Sequence, residues 1–206
     1  MHEETSRRTL RHYETHAREF REGTLDHDVS QNVNALLAAI EGPGPHTILD
    51  FGCGPGRDLM TFQKLGHHPI GLDGCGRFVE MATADAGVPV WHQDFLSLSL
   101  PSETFDGVFA NASLFHVPSV ALPSVLRELW ATLRPRGVLV CSNPRGNSEG
   151  WQGERYSCYL QLDGWTRLFE DAGFELTDHY YRPIGLPRAA QPWLVMVLRK
   201  PGADEA

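Results

Sequence analysis

The residues with the clearest chemical purpose lie in Ile48-Leu49-Asp50-Phe51-Gly52-Cys53-Gly54-Pro55-Gly56, where an apolar run meets glycines at alternate positions. Glycines at such a strand-to-helix turn let the backbone fold tightly and approach a ligand, while N–H groups of the following helix face it. The spacing is G-x-G-x-G, and Arg57 stands where the dinucleotide fingerprint has its third glycine. Asp50 lies just ahead of the loop. A carboxylate there repels a pyrophosphate, the more so in a low-dielectric cleft, but attracts an ammonium or sulfonium. The loop, with Gly52, Gly54 and Gly56 as its contacts, therefore suits a cationic, phosphate-free nucleoside better than a dinucleotide.

Two further acids stand where such a nucleoside needs them. Asp73, followed by Gly74, closes a second apolar run 23 residues after Asp50 and can accept hydrogen bonds from both ribose hydroxyls. Asp94, in His92-Gln93-Asp94-Phe95, can accept from an adenine amino group with Phe95 against the ring. A single aspartate after a strand is an ordinary cap or turn residue. Three at successive strand ends around one glycine loop point to a nucleoside site.

The elements that must hold these residues follow from periodicity. Tyr13, Ala17 and Phe20 recur at helical spacing, and Val29, Val33, Leu36, Leu37 and Ile40 form a second helical stripe ended by Gly42-Pro43-Gly44-Pro45. Strands are then expected over 47–51, 69–72, 89–92, 105–110 and 138–142, alternating with helices over 57–65, 77–86 and 122–133. This alternation predicts a parallel sheet with helices on both faces. A helix over 164–172 precedes strands at 174–181 and 193–198, which no helix separates, so they pair antiparallel. Residues 143–162 are polar and glycine-bearing, and are expected as a long functional or mobile loop.

Composition limits what such a domain binds. The 206 residues are 41% hydrophobic and 21% charged, an ordinary globular balance for one domain. A net charge of -8 disfavours nucleic acid, whose affinity rests on neutralising phosphates. The longest apolar run, Trp193 to Leu198, is far short of the ~20 residues of a membrane helix, so no membrane partner is expected. Residues 1–22 carry five arginines against five glutamates and no apolar stretch, so no signal peptide is visible. Cys53, Cys75, Cys141 and Cys158 are separated by 22, 66 and 17 residues, without metal-ligand spacing. They are expected as reduced, largely buried thiols of a cytoplasmic protein with no metal site. The sequence carries no signal of oligomeric state, and the expected partner is a small molecule.

Over residues 10–200 the chain resembles the class I S-adenosylmethionine (SAM)-dependent methyltransferases. Asp50 to Gly56 is similar to their first motif, Asp73 to the ribose acid, and Asp94-Phe95 to the adenine contacts. Phe105 to Asn111 is similar to their fourth-strand motif. Leu133-Arg134-Pro135-Arg136-Gly137 is similar to the turn L-x-P-G-G, with Arg136 in place of its first glycine. The resemblance implies SAM as cofactor and an α/β fold with a seven-stranded Rossmann-like sheet. Its last strand is antiparallel, inserted between the fifth and sixth. It implies one domain over 1–206, with N-terminal helices (1–41) covering the site and a catalytic core over 46–200. A narrower resemblance, to the methyltransferase module of ovothiol biosynthesis, rests on Asp26-His27-Asp28-Val29-Ser30-Gln31-Asn32, Phe109 to Pro118, Ser142 to Gly146, His179 to Pro183 and Gly185 to Arg188. That module methylates an imidazole nitrogen of 5-thiohistidine. It is commonly joined to an iron-dependent sulfoxide synthase, for which this chain has no room, so a free-standing or excised methyltransferase is expected.

An amino-acid acceptor brings a carboxylate, suited to arginine, and an ammonium, suited to an acid. Arg145 and Arg182 are the carboxylate candidates, or else solvated charges. Asp28 is a substrate ligand or a helix cap, and Asn32, closing the same polar run, and Tyr180 are further substrate candidates. Asn111 stands where the family contacts the methionine portion, or is a turn asparagine. His116 orients the nucleophile, takes up its proton, or is a packed loop residue. Tyr13 reaches the SAM carboxylate or packs on Phe20. Tyr180 and Tyr181 alternate faces, so only one can face the cleft, and Trp151, Trp165 and Trp193 are expected as packing. A neutral imidazole attacks through its own lone pair, so no strong general base is required. The alternatives are a related enzyme for a quinone, lipid or protein residue, and a non-catalytic SAM- or nucleoside-binding module.

Overall fold

The sheet owes its position to apolar runs whose alternate residues are buried on opposite faces. A computed structural model describes residues 2–202. The strands of the main sheet are β1 (Thr47–Phe51), β2 (His68–Asp73), β3 (Val90–His92), β4 (Phe105–Asn111), β5 (Leu133–Pro144), β8 (Glu175–Arg182) and β9 (Trp193–Arg199). Ile48, Phe109, Val138, Val140, Val195 and Val197 pack in one cluster, while Leu49, Val108, Ala110, Leu139, Cys141, Leu194, Met196 and Leu198 pack in another. Helix α2 (Ser30–Ala39) and α3 (Arg57–Lys64) join the first cluster through Val33, Leu36 and Phe62; α5 (Leu122–Thr132) and α6 (Leu162–Asp171) join the second through Leu126, Leu129, Trp165 and Phe169. A strand buried on both faces has to be apolar throughout, which is why these runs show little polar alternation.

Strand order is β3-β2-β1-β4-β5-β9-β8. The first five strands pair in parallel, and β9 runs antiparallel between β5 and β8. The expected seven-stranded sheet with its inserted last strand is therefore present. Order reverses beside β1, so the crevice at the carboxyl ends of β1 and β4 is the place where this fold takes a ligand. The turn at Arg136 holds φ at 65°, the left-handed value that glycine adopts without strain.

One expectation fails. Residues 143–162 are not an irregular loop: β5 continues to Pro144, and a hairpin of β6 (Ser148–Gln152) and β7 (Arg155–Tyr159) follows, turning at Gly153-Glu154. It is held from two sides, by the first helix and by the turn at residues 114–119, where His116 meets the Tyr156 carbonyl and Ser119 meets Glu149. Helix α1 (His2–Thr24) reaches over through Arg8, which pairs with both Glu154 oxygens at 3.0 and 2.9 Å and lies 4.2 Å above the Trp151 ring. Thr9 Oγ1 accepts from Tyr156 N–H at 2.9 Å. The helix kinks at His16 (φ -110°, ψ 17°), whose own Nδ1 bonds the His12 carbonyl at 2.8 Å and competes with the helical ladder. At its other side Glu14 Oε1 accepts from the N–H groups of Gly76 and Arg77, capping α4 (Gly76–Ala86), whose own N-cap residue, Cys75, makes no side-chain capping bond.

Gly56 turns the glycine loop into α3 with φ at 96°, and a Cβ there would stand 2.8 Å from the Ala82 backbone. Gly56→Ala is expected to lower stability by about 1–3 kcal/mol, read as a lower midpoint in urea unfolding. An unchanged midpoint would mean that α3 and α4 separate at no cost.

Candidate active site

A cavity of about 650 Å³ opens where β1, β2 and β4 end and α1 crosses above them. The glycine loop forms one wall. Gly52 has φ at 80° and its missing Cβ would collide with Ser113, whose hydroxyl donates to the Phe51 carbonyl at 2.6 Å. Gly54 meets only Phe20, at 3.8 Å, and keeps open a space that a side chain would fill.

Two of the three expected acids line this cavity. Asp73 is 8% exposed; its Oδ2 accepts from Gly54 N–H at 2.9 Å and its Oδ1 from Cys75 N–H at 2.8 Å. Burial pushes its carboxyl up to about 6, against the pull of those two donors. Asp94 accepts from Leu96 N–H at 2.9 Å and from Ser6 Oγ of α1 at 2.7 Å. Beside it Phe95 stacks on Phe51 at 4.2 Å, and Gly74 packs against Leu10.

Asp50 is different. It is 1% exposed and absent from the cavity wall, and one carboxylate oxygen has no hydrogen-bond partner. Burial, then the neighbouring charge of Asp58, raises its pKa well above the ordinary range, with Arg57 opposing. Strand alternation and the loop above it seal this carboxylate beneath the cavity instead of beside a bound cation. Gly56 is likewise a packing residue behind the wall.

Asn111 and His116 both line the cavity, and each is held by a directed chain of hydrogen bonds. Asp58 is locked to Arg57 by contacts of 2.8 and 2.8 Å and, as a carboxylate, only accepts. Asn111 Nδ2 donates to it at 3.4 Å, which turns Asn111 Oδ1 toward Asn32 Nδ2 at 3.0 Å. Asn32 Oδ1 then accepts from the Tyr180 hydroxyl at 2.9 Å. Asn32 and Tyr180, expected as substrate ligands, lie off the wall and orient Asn111 instead. On the other side, His116 Nδ1 lies 2.7 Å from the Tyr156 carbonyl and Nε2 lies 2.8 Å from the Tyr13 hydroxyl. Burial, with Arg155 and His12 adding repulsion, lowers the His116 pKa to about 4 although the carbonyl partner raises it. The ring is therefore neutral at pH 7 with both nitrogens engaged, a poor general base.

The arginines also divide. Arg145 donates to the carbonyls of Gln191 and Arg188, both at 2.8 Å, and bears on the Tyr181 ring; it braces residues 183–192 outside the cavity. Arg182 does line the cavity, anchored to the Asp28 carbonyl at 2.7 Å, and Asp28 lines it too, with Oδ1 accepting from Ser30 N–H at 2.9 Å. Sequence reasoning missed Arg155, Ser6, Asp58 and Phe78, and Trp193 lines the cavity besides packing on Phe115. Only Asp58 carried a visible signal, as an acid beside Arg57 at the start of the helix after the glycine loop. The four cysteines are free and buried, and among the described residues no His, Cys, Asp or Glu cluster could hold a metal. No helix among them is long and apolar enough to cross a membrane.

A His116 titration followed by NMR is expected to give a value near 4. The unfolded chain takes up this proton near pH 6.5, before the folded state does, so this group destabilises the fold as pH falls from about 6.5 toward 4. A midpoint near 6.5 would mean an open Tyr13–His116 contact.

Comparison with known proteins agrees with this geometry. A family described as "Methyltransferase domain" matches residues 17–179. The chain is 32% identical over 116 residues to trans-aconitate 2-methyltransferase of Azoarcus sp., covering 55% of this chain and 45% of that protein. It is 32% identical over 167 residues to sterol 24-C-methyltransferase ERG6A of Gibberella zeae, covering 68% and 43%. The chain thus spans less than half the length of these two relatives. Among solved structures, the fold superposes with a TM-score of 0.78 on 1,6-didemethyltoxoflavin-N1-methyltransferase of Burkholderia thailandensis, at 23% identity over 98% of this chain and 91% of that one. That structure holds 1,6-didemethyltoxoflavin and S-adenosylhomocysteine. With the family matched along most of its length, its sheet order and its glycine-loop crevice, the chain belongs to the class I SAM-dependent methyltransferases.

Proposed function

We propose that this chain is an N-methyltransferase for a small imidazole amino acid, most simply 5-thiohistidine, and that residues 1–206 work as one domain. The observation that carries the proposal is the charge pattern of the cavity wall: Arg155 and Arg182 for a carboxylate and Asp28 for an ammonium, with the His27 imidazole on the same wall. A zwitterion uses both signs, whereas a quinone or lipid uses neither. Bound in this cavity, SAM supplies a methyl group made electrophilic by its sulfonium.

The wall suits that cofactor. The open side of Gly54 and the bare Gly52 leave a smooth surface, Asp73 with Gly74 would take the ribose, and Asp94 with Phe95 the adenine. Asn111, oriented from Asp58, keeps an amide N–H for the methionine carboxylate. Asp50, sealed beneath the loop, would make no direct contact with the cofactor. The protein's share of catalysis is then alignment and exclusion of water, worth up to about 7–11 kcal/mol when the reacting atoms are well placed. A neutral, doubly engaged His116 is consistent with an acceptor that needs no deprotonation.

The two arginines favour a second reading, a polycarboxylate acceptor of the kind named for the Azoarcus relative. Asp28 opposes it. Incubation with SAM and 5-thiohistidine, histidine or trans-aconitate separates the two: mass gain of 5-thiohistidine with S-adenosylhomocysteine formation is expected. Methylation of trans-aconitate alone would reverse the choice, and SAM binding without transfer to any acceptor would leave a binding module. Asp73→Ala is expected to weaken SAM binding at least tenfold in calorimetry and, by leaving the Gly54 and Cys75 N–H groups without their acceptor, to lower the unfolding midpoint by several degrees with unfolding still cooperative; unchanged affinity would remove the ribose assignment.

A further inference from the structure

We infer that Tyr13 selects the tautomer of the acceptor ring: its hydroxyl oxygen takes the ring N–H, leaving the lone pair of the other ring nitrogen to attack the methyl group. The inference rests on the N-methylation reading above and adds to it the residue that decides which nitrogen reacts.

The protons here are ordered by a group that can only accept. The Tyr156 carbonyl, on β7, has no proton to give, so His116 Nδ1 at 2.7 Å must carry one. A second proton on the ring is opposed by burial and by Arg155 and His12 beside it. Nε2 therefore offers a lone pair, and at 2.8 Å it takes the proton of the Tyr13 hydroxyl. Tyr13 is left with no proton for the cavity and cannot donate to a SAM carboxylate, the role its position in the sequence suggested. It has lone pairs instead. One meets Arg155 Nη1 at a long 3.4 Å, and the other remains for a ligand N–H.

Tyr13, His116 and Arg155 line the same cavity as Asn111. Burial holds the Tyr13 phenol above its usual range, with Asp73 and Tyr159 adding to this and Arg155 opposing, so the hydroxyl stays intact near neutrality. The Arg155 guanidinium beside the oxygen disfavours an ammonium or imidazolium there, and a neutral ring N–H is the donor that remains. Such a ring has one N–H and one lone pair, so pinning the first commits the second. In the transfer, that lone pair forms the N–C bond as the methyl carbon–sulfur bond breaks and its electron pair stays on sulfur. The positive charge passes to the ring, where Arg155 opposes it and favours release, and the pinned N–H proton is then lost to water.

The test is the identity of the product. Wild-type enzyme with SAM and 5-thiohistidine is expected to yield one N-methyl isomer, resolved by NMR. Tyr13→Phe is expected to yield both isomers within a tenfold ratio, with turnover reduced about tenfold and SAM affinity within twofold. A single, unchanged isomer from Tyr13→Phe overturns the inference alone. No methyl transfer to the ring by wild type overturns instead the reading beneath it. If Tyr13→Phe loses cooperative unfolding, His116→Ala decides. It frees the hydroxyl to turn, so mixed isomers support the inference and a single isomer overturns it.

Discussion

The Asp73 carboxylate joins the two halves of the crevice. One oxygen holds the glycine loop at Gly54 and the other the chain entering α4 at Cys75. Without that bridge the loop after β1 and the turn after β2 would have backbone donors facing a buried space with nothing to satisfy them. The bridge costs desolvation, visible in a carboxyl pushed up to about 6, and backbone N–H groups offset part of that cost. Its position then sets the rest: Gly52 lies against Ser113, Gly56 against Ala82, and the cavity between loop and sheet keeps its shape.

The sheet was legible because strands buried on both faces leave long apolar runs, and the crossover rules leave few ways to order them. Asp73, Asp94 and Phe95 were legible for a related reason, since a strand end fixes where its next residue stands. The hairpin at 148–159 was not. Ser148 to Gln152 has no apolar face of its own, and its register depends on Arg8, Thr9 and Tyr156, whose contacts join residues 146 and 147 positions apart. Arg145 and Arg182 show the same limit: both are arginines near β-strand ends, and only the path of residues 183–192 makes one a brace and the other part of the wall.

Two groups that cannot donate, the Asp58 carboxylate and the Tyr156 carbonyl, give direction to the polar contacts around the cavity. Each sits at one end of a chain of groups that can donate or accept, and each decides the orientation of every member. Asn111 is left offering a proton and Tyr13 a lone pair to one shared space. Two neutral polar side chains thus differ in sign because of atoms one or two contacts away.

The kinked first helix carries a consequence for the timing of turnover. Its apolar residues Tyr13, Ala17 and Phe20 pack with Cys75 and Phe78 in a cluster separate from the two that sandwich the sheet. The other ties are polar, at Ser6, Arg8, Thr9, Tyr13, Glu14, Arg21 and Thr24. The roof and the walls therefore have separate foundations. Lifting the roof breaks a small cluster and these polar ties while the central core stays intact, a local opening far less costly than unfolding. Because the same helix touches both Asp94 and His116, one opening motion would uncover both of these lining residues, so ligand entry and release would share one step.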